Sequence, residues 1–207
     1  ETYHSTSGAR EEAVKKFVEP CEVARVAQTG KIKILDICFG LGYNTAAALD
    51  AIKENNPGCV VEIIALENDP EVIKTMLEVD SSVFGSYEIL QTIILSKKPI
   101  MDNEVISVRE GKFCFELLMG DARDWIKGLG GKDFDCVFLD PFSPKKCPEL
   151  WTEEFFHCIF ASMKQGGILA TYSCARSVRD NLKKAGFEVR DGPSVGRKAP
   201  STIAVKP

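Results

Sequence analysis

The sequence predicts an α/β fold: a doubly wound, mostly parallel sheet with an antiparallel end strand. Three observations carry this. First, the apolar run Ile32, Ile34, Leu35 and Ile37 is followed by Gly40 and Gly42 and then by a helix start at Asn44. That is the strand, glycine turn and helix corner of an open α/β sheet. Second, strand-like and helix-like runs alternate down the chain, which then closes on two strands. Third, the acids Glu67, Asp121 and Asp140 each stand within two residues of the end of an apolar run, so the fold gathers them on one sheet edge beside the glycine turn.

In order, residues 1–8 read as a polar terminus. A helix is expected from Ala9 to about Gln28, broken near Pro20, and Gly30 precedes the first strand. Asn44 reads as the N-cap of the next helix, which stops at Asn55-Asn56-Pro57-Gly58. Cys59 to Leu66 is a second apolar strand. Asp69-Pro70-Glu71 starts a helix with a cap, proline at the first position and an acid in the first turn. Ser86 to Ser96 has apolar residues at helical spacing. Glu104–Val108 and Phe113–Leu118 flank a turn at Arg109-Glu110-Gly111-Lys112 and read as a hairpin. Residues 81–112 are thus an excursion within a single domain spanning 1–207, with 1–30 a helical lead-in. Lys132 to Leu139 is a further strand. Thr152 caps a helix that turns Phe156, Ile159, Phe160 and Met163 to the core and ends at Gln165-Gly166-Gly167. Ile168–Ser173 (strand), Arg176–Lys184 (helix), Phe187–Arg190 and Ser201–Lys206 (strands) complete the chain.

Composition narrows the function. A chain of 207 residues with net charge −4 is large enough for a real core and is not a generally basic nucleic-acid binder, so any RNA contact must come from a local patch. No apolar run approaches membrane-spanning length, and no secretion signal is visible, although the sequence opens on Glu1; a cytoplasmic protein is expected. None of the 8 cysteines forms a Cys-x-x-Cys pair. Cys38, Cys59, Cys114, Cys136 and Cys174 fall in or beside strands, where a thiol packs as a small hydrophobe, and reduced thiols are expected. The 2 histidines, His4 and His157, supply no clustered ligands, so no metal site is expected.

Thr45 stands where a dinucleotide fingerprint carries its third glycine, which argues against NAD and leaves a nucleoside without a pyrophosphate, such as S-adenosylmethionine. Glu67, at a strand end, can accept from both ribose hydroxyls. Asp121 can cap its own helix or accept from an adenine amino group, with the Ala122 N–H reaching the ring. Asp140 opens a loop stiffened by Pro141, Pro144 and Pro148, a good place for chemistry.

Four blocks then become specific: Tyr3-His4-Ser5; Phe39-Gly40-Leu41-Gly42-Tyr43-Asn44; Phe138-Leu139-Asp140-Pro141-Phe142-Ser143-Pro144 with Trp151; and Ala185-Gly186-Phe187 through Gly196-Arg197-Lys198. Together they span nearly the whole chain, which resembles the methyltransferase half of the MnmC-type tRNA 5-methylaminomethyl-2-thiouridine biosynthesis proteins. The resemblance implies a class I, Rossmann-like fold that uses S-adenosyl-L-methionine. It implies methylation of the aminomethyl group on the wobble uridine, in the tRNA anticodon region. By position, Asp36, Gly40, Gly42 and Asn44 would hold the methionine part of the cofactor, Glu67 the ribose, Asp121 and Ala122 the adenine, and Asp140 would face the amine. Asp36 replaces a longer acid of the family, and Pro141 replaces a glycine. The flavin-dependent oxidase half is not matched, so a separate enzyme is expected to supply the aminomethyl precursor. Tyr3, His4 and Phe142 are candidates for closing the pocket or stacking on the uracil. Lys145, Lys146, Arg176, Arg179, Arg197 and Lys198 are candidates for tRNA phosphates. Other readings are transfer to a small amine or a protein, an aminopropyl-transferring relative, and a tRNA-binding protein without catalysis.

Overall fold

The computed structural model describes residues 8–96, 104–196 and 198–207; Tyr3, His4 and Arg197 lie outside them. The order is α1 (Ala9–Ala13), α2 (Val23–Ala27), β1 (Lys31–Ile37), α3 (Tyr43–Asn55), β2 (Val60–Glu67), α4 (Pro70–Met76), α5 (Tyr87–Leu95), β3 (Val105–Glu110), β4 (Phe113–Met119), α6 (Ala122–Trp125), β5 (Phe134–Leu139), α7 (Glu153–Ser162), β6 (Met163–Thr171), α8 (Arg176–Lys184), β7 (Glu188–Asp191) and β8 (Thr202–Val205). Strands β4, β2, β1, β5 and β6 run parallel. The sheet order is β3-β4-β2-β1-β5-β6-β8-β7. β3 pairs antiparallel to β4 at one edge, and β8 pairs antiparallel to β6 and β7 near the other. The expected antiparallel end is therefore present, and the hairpin adds a second.

Side chains alternate across the sheet, so two cores form. One packs β1, β2, β4 and β5 against α1 to α5 through residues such as Ile32, Ile34, Ile73, Tyr87, Phe115 and Phe138. The other packs Leu35, Ile37, Leu66, Val137 and Leu139 against α6 to α8 through Phe155, Phe156, Ile159 and Leu182. The chain leaves β1 toward β2 and β4 and returns to β5 on the other side. The reversal lies between β1 and β5, where open α/β sheets bind ligands at the strands' carboxyl ends.

Local chemistry explains most boundaries. Asp69 accepts the Glu71 N–H and Pro70 leads α4. Thr152 accepts the Phe155 N–H at the start of α7. The first helix widens into a π-helical turn over Val14–Val18. The chain then breaks after Pro20, with Glu22 left-handed at φ 53°. Two expectations are corrected. The helix start at Tyr43 makes Gly42, not Asn44, its N-cap; Asn44 lies in the first turn and its side chain bonds elsewhere. The α7 helix stops at Ser162, and Met163 already pairs with Phe134 as the first residue of β6. Met163 is buried all the same, because an apolar residue at a helix-to-strand junction meets the core from either element. Phe160 is only half-buried and packs edge-on to Phe187 at 5.0 Å.

Candidate active site

Register aligns the strand ends. Ile37 stands opposite Leu66 and Leu139, and Glu67 opposite Met119. The residues just beyond these positions form a rim of Cys38, Glu67, Asp121 and Asp140. The turn after β1 is tied down by backbone bonds from Phe39 N to the Leu66 carbonyl at 2.9 Å and from Gly42 N to the Phe39 carbonyl at 2.8 Å. Gly42 has φ 77°, and a Cβ there would stand 2.6 Å from the Phe39 ring, so both conformation and space require glycine. Gly40, at φ 56°, would carry a Cβ 3.8 Å from the Cys38 carbonyl oxygen, so its conformation rather than crowding favours glycine. Cys38 also adopts a left-handed φ, 65°, a strained conformation of the kind that collects at functional sites.

Three carboxylates meet at this turn. Asp36 is fully buried. Its Oδ2 accepts the Thr45 hydroxyl at 2.7 Å, which is the role of the residue that stands in place of a third glycine. Its Oδ1 is buried with no protein partner among the described residues. Burial pushes Asp36 up to about 8; the Thr45 hydroxyl opposes this, and the negative charges of Asp140 and Glu67 add to it. Glu67 is 8% exposed. Its oxygens accept backbone N–H groups from Gly40 at 2.8 Å, Asn68 at 2.8 Å and Asp69 at 2.9 Å. Burial raises its pKa, and those three N–H bonds oppose the rise.

Asp140 follows β5, its backbone N–H bonded to the Ile37 carbonyl at 3.1 Å. Its side chain accepts from Asn44 Nδ2 at 3.1 Å, which is where the expected cap residue is used. The residue keeps one edge open to solvent, but burial still pushes its pKa up to about 7; the Asn44 amide and the Lys16 ammonium oppose this, and the Glu12 carboxylate adds to it. The loop after it is fixed by Tyr172 Oη donating to the Pro141 carbonyl at 2.9 Å and Trp151 Nε1 donating to the Phe142 carbonyl at 2.9 Å. Phe142 is 42% exposed, with Lys146 5.6 Å over its ring.

Asp121 caps α6 through the Arg123 N–H at 2.8 Å and also binds the Arg123 guanidinium. The bond to Arg123 holds its pKa below the usual carboxylate range. Ala122 is the buried first residue of that helix. Of the expected phosphate contacts, Lys145, Lys146 and Lys198 are exposed, and the Arg176 side chain is 95% exposed with Asp180 3.7 Å away. Arg179 is instead a structural tie, bonded to Asp191, the Ser201 carbonyl and the Thr202 hydroxyl. A helix start alone did not reveal that β7 and β8 would fold back onto it. Glu12 and Lys16 were not singled out from the sequence. Their i,i+4 spacing was visible, but their placement near Asp140 depends on how α1 crosses the sheet.

This donor set fits S-adenosyl-L-methionine. The buried, partnerless Asp36 Oδ1 and three crowded carboxylates suit a ligand carrying a sulfonium and an α-ammonium group. The glycine turn gives close backbone approach.

Comparison with known proteins agrees. A family described as S-adenosyl-L-methionine-dependent methyltransferase matches residues 88–207. An uncharacterized protein of Methanocaldococcus jannaschii is 33% identical over 206 residues, covering 100% of this chain and 54% of that protein. The tRNA 5-methylaminomethyl-2-thiouridine biosynthesis bifunctional protein MnmC of Ralstonia nicotianae is 29% identical over 211 residues, covering 100% of this chain and 32% of that protein. The chain thus spans about half of the first relative and a third of the second. The crystal structure of MnmC2 from Aquifex aeolicus superposes with a TM-score of 0.80 at 35% identity, over 98% of this chain and 63% of that one. These matches bear out the MnmC-type resemblance and the cofactor. With a matching family over more than half its length, the chain belongs to the S-adenosyl-L-methionine-dependent methyltransferases.

Proposed function

We propose that the chain N-methylates the primary amine of a 5-aminomethyl group on the wobble uridine of tRNA. The observation that carries this reading is Asp140: a rim carboxylate with a raised proton affinity, held by one amide, and facing no directly bonded cation among the described residues. The similarity of nearly the whole of this chain to part of the MnmC relatives supports the choice of tRNA.

S-adenosyl-L-methionine, when bound, supplies an electrophilic methyl group on a positively charged sulfur. Gly40, Gly42 and Asp36 would hold its methionine part, Glu67 its ribose hydroxyls, and Asp121 with the Ala122 N–H its adenine. The chain's other task is the acceptor. A primary alkylamine is mostly an ammonium near neutral pH and must lose a proton before it is nucleophilic. A carboxylate whose pKa lies near 7 is matched to take that proton. Once it has released that proton to solvent, the ionised carboxylate faces the new secondary ammonium and stabilises its charge. The stiff loop of Pro141 and Pro144, pinned by Tyr172 and Trp151, keeps Asp140 in place. Phe142, exposed in the loop after Asp140, would meet the base, a role for which Tyr3 and His4 are the other candidates. Lys145, Lys146, Arg176, Arg197 and Lys198 contact phosphates. A separate enzyme supplies the aminomethyl group.

The test is incubation with labelled cofactor and tRNA bearing 5-aminomethyl uridine, followed by nucleoside mass analysis. The expected product is that nucleoside one methyl heavier. Label that stays off RNA and enters a small amine or a protein would overturn the substrate assignment.

A further inference from the structure

Asp140 belongs to the sheet face covered by the N-terminal helix. Cys136 and Phe138 join the core under α1 to α5, whereas Val137 and Leu139 join the other. Asp140, two residues past Phe138, continues on the first side. There Phe17 meets Phe138 edge-on at 6.0 Å, and Cys21 Sγ donates to the Ile168 carbonyl at 3.4 Å. These contacts fix the helix and the turn after it over β5 and β6, with Phe17 next to the end of β5.

Beside Phe17 the helix carries an ion pair. Lys16 Nζ donates to Glu12 Oε1 at 2.5 Å, with side-chain exposures of 8% and 23%. Lys16 lies in the π-helical turn, a geometry frequent at functional sites. From the far end of the chain, Gly196 approaches until a Cβ there would stand 3.5 Å from Glu12 Oε1. A solvated i,i+4 pair stabilises a helix only weakly, whereas withdrawing an ammonium from water carries a much larger penalty. Helix stability alone does not account for the burial. Both members act on Asp140, with opposite sign.

We propose that Glu12 and Lys16 are positioning residues of the acceptor site, fixed by the N-terminal helix above the end of β5 so that a cationic amine arriving at Asp140 meets a second carboxylate held in place by its lysine. With Asp140 ionised, the three side chains sum to one negative charge, the complement of one ammonium. This rests on the reading that Asp140 faces an amine. The other groups that face Asp140 are Asp36 from β1, Cys38 at the turn and Asn44 from α3, with Glu67 and Cys147 beyond them around Cys38. They are unchanged by substitution of the pair.

The test is a carbon NMR titration of aspartate-labelled protein without cofactor or substrate, following the resonance lost in Asp140→Asn. Glu12→Gln removes a negative charge and leaves the lysine unopposed, so the Asp140 midpoint falls by about one pH unit. Lys16→Met removes the positive charge, so the midpoint rises by a similar amount. Lys16→Arg keeps it near the wild-type value. The acid limb of the single-turnover pH profile follows the same order. Shifts in one common direction, or none, overturn the proposal; if Glu12→Gln does not fold, the absence of a rise in Lys16→Met does so alone. Midpoints that move as expected with no transfer to tRNA overturn the substrate assignment and leave the charge coupling intact.

Discussion

An aspartate stands at each end of β5, and the two are held differently. Near the start of the strand, Asp135 is 6% exposed, accepts the Lys33 backbone N–H at 2.7 Å and pairs with the Lys164 ammonium. Past the other end, Asp140 receives one neutral amide at 3.1 Å, and the Glu12 and Lys16 charges that bear on it are paired with each other. Asp135 is compensated by the fold, so it works for the fold. Asp140 is desolvated without a bonded counter-charge, which costs stability and leaves its charge for an incoming cation. Burial is common to both; what separates structure from chemistry is whether the protein supplies the counter-charge itself.

Substitution at both ends breaks or sharpens that contrast. Asp140→Asn is expected to lower methyl transfer by about 10²–10⁴-fold, with calorimetric affinity for S-adenosylmethionine little changed. Asp135→Asn is expected to leave single-turnover transfer near wild type and to lower urea-unfolding stability by about 1–3 kcal/mol. If the Asp135 variant lost turnover and the Asp140 variant lost stability, the assignment would be reversed.

The glycine turn offers a second, smaller effect. Gly42→Ala places a Cβ against the Phe39 ring at φ 77°, which costs about 1–3 kcal/mol of strain. It should also weaken cofactor binding in the same calorimetric measurement. Wild-type stability and affinity together would show that the turn tolerates a side chain and is no close-approach site.

A third effect is on pH dependence. Asp36 and Asp140 are pushed from 3.8 up to about 8 and about 7. Between those limits the folded protein holds more protons than the unfolded chain. Their contribution is fully present below the unfolded value and is lost as pH rises through the folded one. The ligand-free protein should therefore lose stability as pH rises across that window, by at most about 1.4 kcal/mol per pH unit for each group. Asp36→Asn should flatten the curve and gain on wild type as pH rises from about 5 to about 8. Parallel curves for the two proteins, measured by urea unfolding at several pH values, would sink this account of Asp36.

Much of this was legible in the residues. The run through Ile37, the glycines and the acids after β2, β4 and β5 are local patterns, and each sits where the pattern puts it. Two readings failed for lack of distant partners. Asn44 has the chemistry of a cap, but Gly42 already starts the helix, which frees its amide for Asp140. Arg179 reads as an exposed cation until β7 and β8 enclose it. Asp121 reads equally well as cap or ligand contact; the structure displays the cap, a role that the bond to Arg123 reinforces.

By itself, the sequence determined the strand order's local units, the glycine corner and the presence of acids at strand ends. Periodicity, turn chemistry and capping act over a few residues and can be read within them. Only the tertiary structure decided which acids are left without a counter-charge and which are neutralised. Charge and desolvation act through space, between Glu12, Lys16 and Asp140 or between Lys164 and Asp135, and no local window of the chain contains both partners of either interaction.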